Sequence, residues 1–272
     1  MRFVILGGND GNQTKGQAPM AYFCRLLKSL SMTTRPTQQI YANYRQEDFD
    51  VWKILFDRQM ENLQGKVADE YLTALDVIGF TRDRIPNFTE VNQRLEAITG
   101  WNLITVPNIS PPREFFSRLA EKKFTATCWL RKMEELDYLE EPDMFHDVFA
   151  HAPLLSNKDY TDFFHQIGVL AMKYIDSDEV ILKLQRLYWF TIEFGLVRAQ
   201  DGSLRIYGAG IVSSKGETEH ALSDRSIKHD FDVRKIYQHD FRTDIMQDEY
   251  YVIDSFEQLS GSLDEFEEAL FA

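Results

Sequence analysis

The chain has 272 residues, 44% of them apolar, enough to bury one large core without disulfide or metal staples. Its formal charge of −13 argues against a surface built for nucleic acid or anionic lipid, which need clustered Lys and Arg. Only two cysteines occur, Cys24 and Cys128, no apolar run reaches the ~18 residues of a membrane span, and Met1–Leu6 is too short for a signal-peptide core, so a soluble cytoplasmic protein with reduced thiols is expected.

Residues 1–36 stand apart from the rest of the chain. Gly7-Gly-Asn-Asp-Gly-Asn12 is turn chemistry and lacks the spacing of a dinucleotide loop or a P-loop. A poorly ordered extension with a short helix near residues 21–30 is expected, ahead of one domain over 37–272. From Gln46 to Leu63, Phe49, Trp52, Phe56, Met60 and Leu63 recur at three- and four-residue steps, the period of an amphipathic helix. Residues 68–78 continue in that style. Asn87-Phe-Thr-Glu90 has the form of a capping box for a helix that Gly100 ends, and Ser110-Pro111 reads as cap and first residue of another. Phe124–Arg131 changes to period two and predicts a strand with Thr125, Thr127, Trp129 and Arg131 on one face. A long helix is expected from Asp178 to Arg198, then a turn at Asp201-Gly202, strands at 204–207 and 250–253, a tight loop at Gly208-Ala-Gly210, and a short acidic helix over 262–270. Helices dominate, so the predicted class is α+β, mostly α.

Chemistry concentrates in two segments. Glu141-Pro-Asp-Met-Phe-His-Asp-Val-Phe-Ala-His151 holds His146 and His151, and Tyr188-Trp-Phe-Thr-Ile-Glu193 holds Glu193. Two imidazoles and a carboxylate form the facial triad that leaves a metal's other positions open. The five-residue step between the histidines is awkward, since a regular helix sets such residues about 140° apart. The pair can share one ion only if the helix ends or deforms between them; Pro153 disfavours α geometry at Ala152 and supplies such an ending, which places His146 inside a helix and His151 at its C-terminal edge. By spacing alone the pair reads as core histidines before it reads as a metal site. Glu193 strengthens the metal reading, because a glutamate amid Leu187, Trp189, Phe190 and Phe194 needs a cation or an arginine as partner. Trp189 lies one turn before it and offers an aromatic wall. Arg131 is placed either to clamp a substrate carboxylate or to form a salt bridge with Asp143 or one of the nearby glutamates. His165, His220, His229 and His239 read as surface residues.

Together with Trp129-Leu-Arg131, Pro153-Leu-Leu155 and Arg205-Ile-Tyr-Gly-Ala-Gly-Ile-Val-Ser-Ser214, these segments resemble the aromatic amino acid hydroxylases from about Thr37 onward. Tyr41–Leu63 and Tyr251–Phe256 look like the short bacterial phenylalanine hydroxylases. The resemblance implies a single catalytic domain of that type, mostly helical with small β-sheets. It implies hydroxylation of L-phenylalanine to L-tyrosine by Fe(II), a tetrahydrobiopterin-like tetrahydropterin and O2. By family pattern His146, His151 and Glu193 hold the iron, and Arg131, supported by Asp143, binds the substrate carboxylate. Pro142 and Trp189 border the ring, Ser213 and Ser214 lie in the loop that closes near the substrate and the ligand shell, Phe115 stacks on the pterin, Asp147 faces it, and Tyr188 stands on the cofactor side near the iron. Ala150 and Asn108 depart from the family's glycines; the first stands to shift the helix end that aims His151, the second to alter the pterin loop. A monomer or small oligomer is expected. The competing readings are a tryptophan or tyrosine hydroxylase of the same family, a zinc hydrolase on the same triad, and a non-catalytic binding protein that kept the fold.

Overall fold

The computed structural model describes residues 35–137, 139 and 141–270; the helix expected near 21–30 lies outside them. Helix α1, Gln46–Leu63, forms as the periodicity predicts, although its most buried stripe is Val51, Trp52, Leu55, Gln59 and Leu63. Phe49, Phe56 and Met60 pack beside that stripe, only partly buried. Helix α2, Asp69–Ile78, stops at Gly79, whose φ of 70° is a left-handed conformation that glycine adopts without steric cost. Helix α3, Phe88–Ile98, is capped by Asn87, whose side chain accepts from the Thr89 amide at 3.0 Å. Glu90 pairs with Arg84 at 2.6 Å rather than completing the box.

Strand β1, Asn102–Thr105, runs parallel to β2, Lys123–Ala126, and α4, Pro112–Ala120, makes the crossover between them. The helix starts one residue later than expected, with Pro112 rather than Pro111 in its first turn. Strand β2 is shorter than predicted. Beyond Ala126 the amides leave the ladder for carboxylates: Thr127 N–H donates to Asp147 at 2.7 Å and Arg131 N–H to Asp143 at 2.9 Å. Helix α5, Lys158–Lys173, lies against α4 at Gly168, where an added methyl would sit 2.3 Å from the Ala120 nitrogen.

Helix α6, Asp178–Tyr188, ends ten residues before the expected boundary. It opens into a π-helical turn, Trp189–Glu193, and the chain then becomes strand β3, Leu196–Arg198. The second sheet has the order β4-β3-β6-β5, from β4, Leu204–Ile206, β5, Ile227–Asp230, and β6, Glu249–Ile253. Only β3 and β4 are antiparallel; β6 joins β3 and β5 in parallel. Gly208-Ala-Gly210 is not a loop but the start of helix α7, Ala209–Val212. Helix α8, Lys215–Ala221, and α9, Val233–Ile236, come next, and α10, Phe256–Ala269, begins six residues earlier than predicted. The observed class is the expected α+β, mostly α. His220 is buried, contrary to its expected place on the surface, whereas the other three non-ligand histidines stay partly exposed.

A buried carboxylate ties α8 to β6. Glu217 accepts hydrogen bonds from the Tyr250 hydroxyl at 2.8 Å and the Gln247 amide at 3.1 Å. Burial outweighs both bonds and raises its pKa to about 7. Its folded pKa thus lies above its unfolded value, so the folded state holds a proton that the unfolded chain releases from about pH 4.5 upward. Stability from this group is complete at lower pH and declines as pH rises to 7, by on the order of 3 kcal/mol. Thermal melts between pH 5 and 8 are expected to show the midpoint falling with pH, and Glu217→Gln to flatten that slope; an equal slope in the variant would remove Glu217 as its source.

Candidate metal centre and active-site cleft

The five-residue step between the histidines is resolved by helix type. Phe145–His151 is a π-helix, whose i→i+5 hydrogen bonding stacks residue i+5 over residue i. The helix deforms between the two histidines rather than ending there, and His151 is its last residue, at the C-terminal edge as expected. Ala152 stays right-handed helical at φ −62°, ψ −32°, and Pro153 opens a 3-10 turn, Pro153–Ser156. The two imidazoles come to 5.1 Å between centroids. Phe145 and Phe149 stack at 4.5 Å on the opposite side, and Trp52 of α1 packs edge-on to Phe145 at 5.7 Å. That aromatic cluster anchors the widened turn. Ala150 is buried within it and takes no left-handed conformation, so its methyl is accommodated.

Glu193 also ends a π-helical turn, with Phe194 N–H donating to Trp189 C=O. Its carboxylate lies 3.1 Å from His151 Nε2 and 3.6 Å from His146 Nε2. One ligand atom from each residue lies within 4.8 Å of the others, the only such metal-competent group of His, Cys, Asp and Glu among the described residues. Gly208 and Gly210 let α7 press against this turn, since methyl groups there would stand 2.5 and 3.1 Å from the Glu193 carbonyl oxygen.

Protonation suits a cation. Burial presses the His146 pKa down to about 4, keeping the ring neutral. Burial raises Glu193, but His151, His146 and the Tyr188 hydroxyl more than offset it and hold the carboxyl near 2. Ser213 gives its proton to Ala209 C=O at 2.9 Å and so accepts from His146 Nδ1–H at 2.8 Å. His146 Nε2 then carries the lone pair toward Glu193. Sequence reasoning placed Ser213 in a nearby loop and missed this orienting role. Ser214 caps α8, its hydroxyl accepting from the Glu217 amide at 3.3 Å.

Asp143, fully buried, accepts from Arg131 three times at 2.9 Å, through the backbone amide, Nε and Nη2. Burial pushes the Asp143 carboxyl up, but the Arg131 guanidinium overcomes it and holds the group below its usual range. Asp143 also accepts from the His146 amide at 3.3 Å, which fastens the arginine to the first turn of the metal helix. Of the two readings of Arg131 the pairing with Asp143 is formed, and the guanidinium N–H groups that Asp143 does not take remain as donors.

A cleft of about 200 Å³ reaches His151, with Pro142, Trp189, Phe115, Asp147 and Tyr188 on its walls. Phe115 meets Tyr188 edge-on at 5.2 Å. Asp147 accepts from the Thr127 hydroxyl at 2.9 Å as well as its amide, and burial raises its carboxyl to about 7. Arg131, Asp143, Ser213 and Ser214 do not line that cleft. Trp189 is clamped between Phe194 and Phe241, each 4.6 Å away, and donates its N–H to Gln247 at 3.0 Å. Phe241, Thr243 and Gln247 sit in an irregular segment before β6, where no periodicity marks them as part of a wall.

Residues 22–271 match the family described as biopterin-dependent aromatic amino acid hydroxylase. The chain is 43% identical over 231 residues to a phenylalanine-4-hydroxylase of Ralstonia nicotianae, covering 84% of this chain and 73% of that protein. It is 42% identical to the phenylalanine-4-hydroxylase of Chromobacterium violaceum, covering 79% and 72%. The crystal structure of the Chromobacterium violaceum enzyme with bound oxidised Fe(III) is similar at a TM-score of 0.80 and 38% identity, covering 92% of this chain and 93% of that one. The same enzyme bound to cobalt gives 0.81 and 38%, covering 92% of each chain. The π-helical histidine pair, the glutamate opposite it and the aromatic cleft thus sit in a fold shared with these proteins, and the chain belongs to the biopterin-dependent aromatic amino acid hydroxylases.

Proposed function

We propose that this protein is a phenylalanine 4-monooxygenase that uses Fe(II), a tetrahydropterin and O2 to convert L-phenylalanine to L-tyrosine. The convergence of His146, His151 and Glu193 beside an aromatic cleft carries the reading. Two imidazoles and a carboxylate fit a divalent iron and leave positions open for oxygen chemistry. When bound, iron and pterin supply the redox chemistry that activates O2.

The chain's own residues place the reactants. Arg131, held flat by Asp143, offers its outer guanidinium N–H groups to the amino acid carboxylate. Pro142 and Trp189 border the ring, and the Trp189 indole N–H is already committed to Gln247, so it presents carbon to the substrate. Phe115 and Tyr188 offer aromatic faces to the flat pterin, and Asp147 an acidic group beside it. His146 is kept in one tautomer by Ser213. The apolar walls exclude water from the reacting centre. No described helix is long and apolar enough to cross a membrane, in keeping with a cytoplasmic enzyme. We read the protein as a monomer or small oligomer; a tetrameric mass by light scattering would reverse that.

Anaerobic reconstitution with Fe(II), followed by tetrahydropterin, O2 and each aromatic amino acid, tests the activity. Tyrosine formed from phenylalanine is expected; iron bound without hydroxylation of any of the three would point to a binding protein. Glu193→Ala is expected to lose both stoichiometric iron and turnover, and iron content equal to wild type would take Glu193 out of the ligand set. Arg131→Ala is expected to raise the amino acid KM about 10- to 100-fold, the scale of a lost hydrogen-bonded charge pair. An unchanged KM would refute the clamp.

A further inference from the structure

Arg35 meets three groups, one of which, Asn108, lines the cleft. Its guanidinium lies 3.8 Å above the Trp129 ring centroid. Its Nη1 donates to Asn108 Oδ1 at 3.2 Å and pairs with the Glu141 carboxylate. Arg35 and Glu141 are largely shielded, with side-chain exposures of 23% and 17%. The two oxygen acceptors come from segments that supply different lining residues of the cleft. Asn108, with Ile109 and Ser110, forms one wall. Glu141 immediately precedes Pro142 on the other, and Asp143, which holds Arg131, is next in the chain. Trp129 already ties into the first wall by donating its N–H to Pro107 C=O at 3.3 Å.

Asn108 takes no left-handed conformation, so backbone tolerance is not what its side chain supplies. What it supplies is an acceptor for Arg35. A planar guanidinium suits this place because it can stack on an indole while its edge donates to two acceptors, which an ammonium does less well.

We infer that Arg35 is a positioning residue that straps the 106–110 wall to the 141–143 wall and thereby sets the affinity of the cleft for its two flat ligands. The inference rests on the pterin and amino acid reading of that cleft. Arg35 touches neither ligand site itself. Its effect passes through Asn108 to the pterin side, and through Glu141, Pro142 and Asp143 to the amino acid side.

The test compares Arg35→Ala, Arg35→Lys and Asn108→Ala with wild type as full-length, iron-loaded proteins. Affinity for a tetrahydropterin is read anaerobically by tryptophan fluorescence, steady-state KM and kcat for both substrates are measured, and amide hydrogen exchange is followed over 106–110 and 141–144. Arg35→Ala is expected to weaken pterin affinity and raise both KM values about fivefold, with kcat at saturation within about twofold. Exchange is expected to quicken in both segments, with Arg35→Lys intermediate. Adding Asn108→Ala to Arg35→Ala is expected to change pterin affinity no further, since the two act through one contact. If Arg35→Ala does not fold, Arg35→Lys and Asn108→Ala give the same readouts. Wild-type affinity and exchange in the variants would overturn the strap, as would a lower kcat and melting point at unchanged KM. A wild-type protein that binds no pterin would instead overturn the underlying reading of the cleft.

Discussion

A hydrogen bond that reaches five residues rather than four governs this site. In an α-helix His146 and His151 would diverge, and Glu193 would face its own helix differently. Both ligand-bearing segments are widened instead, over Phe145–His151 and Trp189–Glu193. Such turns have poorer geometry than α-helix, so something outside them must hold them open. Around the histidines it is the Trp52, Phe145 and Phe149 cluster; around the glutamate it is α7, brought close by two glycines. The metal-ligand geometry is therefore an outcome of core packing as much as of the ligands themselves.

Carboxylates do a second kind of organising. Asp143 and Asp147, four residues apart and flanking His146, take amides from the segment that would otherwise extend β2. The strand is cut short, and its continuation is bent past the metal helix with Arg131 fixed in place. Burying Asp143 is costly, and the three bonds from Arg131 with one from the His146 amide are what offset it. Glu217 plays a related part further out, holding the Gln247 segment that in turn orients Trp189.

Much of this was legible in the sequence, and the failures share a cause. Periodicity located α1, α2 and α3 because an apolar stripe is a property of a single segment. The ligands were identifiable by residue type and by the family pattern they carry. The π-turns were not, because local propensity scales describe α, strand and turn, and widening is imposed by tertiary neighbours. The same holds for β2, whose end is set by carboxylates about 12 to 20 residues away in sequence. Gln247 and Phe241 were invisible for a simpler reason: they lie in an irregular segment whose only organisation is the wall they build around Trp189. His220, expected at the surface, is buried because α8 packs between α1 and β6, an arrangement no window of sequence contains.

The parallel pairing of β3 with β6 has a temporal meaning. β3 begins three residues after Glu193; β4 pairs with it within ten residues, yet its other neighbour in the sheet, β6, is some fifty residues further along. Sheet pairs of such separation close late, since the entropy of the intervening loop is lost before any contact compensates it. During synthesis the histidine pair leaves the ribosome long before the strand that steadies its third partner. The segments that pack on the third ligand, α7 against the Glu193 turn and β6 against β3, thus follow the histidine pair in the chain by some sixty and a hundred residues.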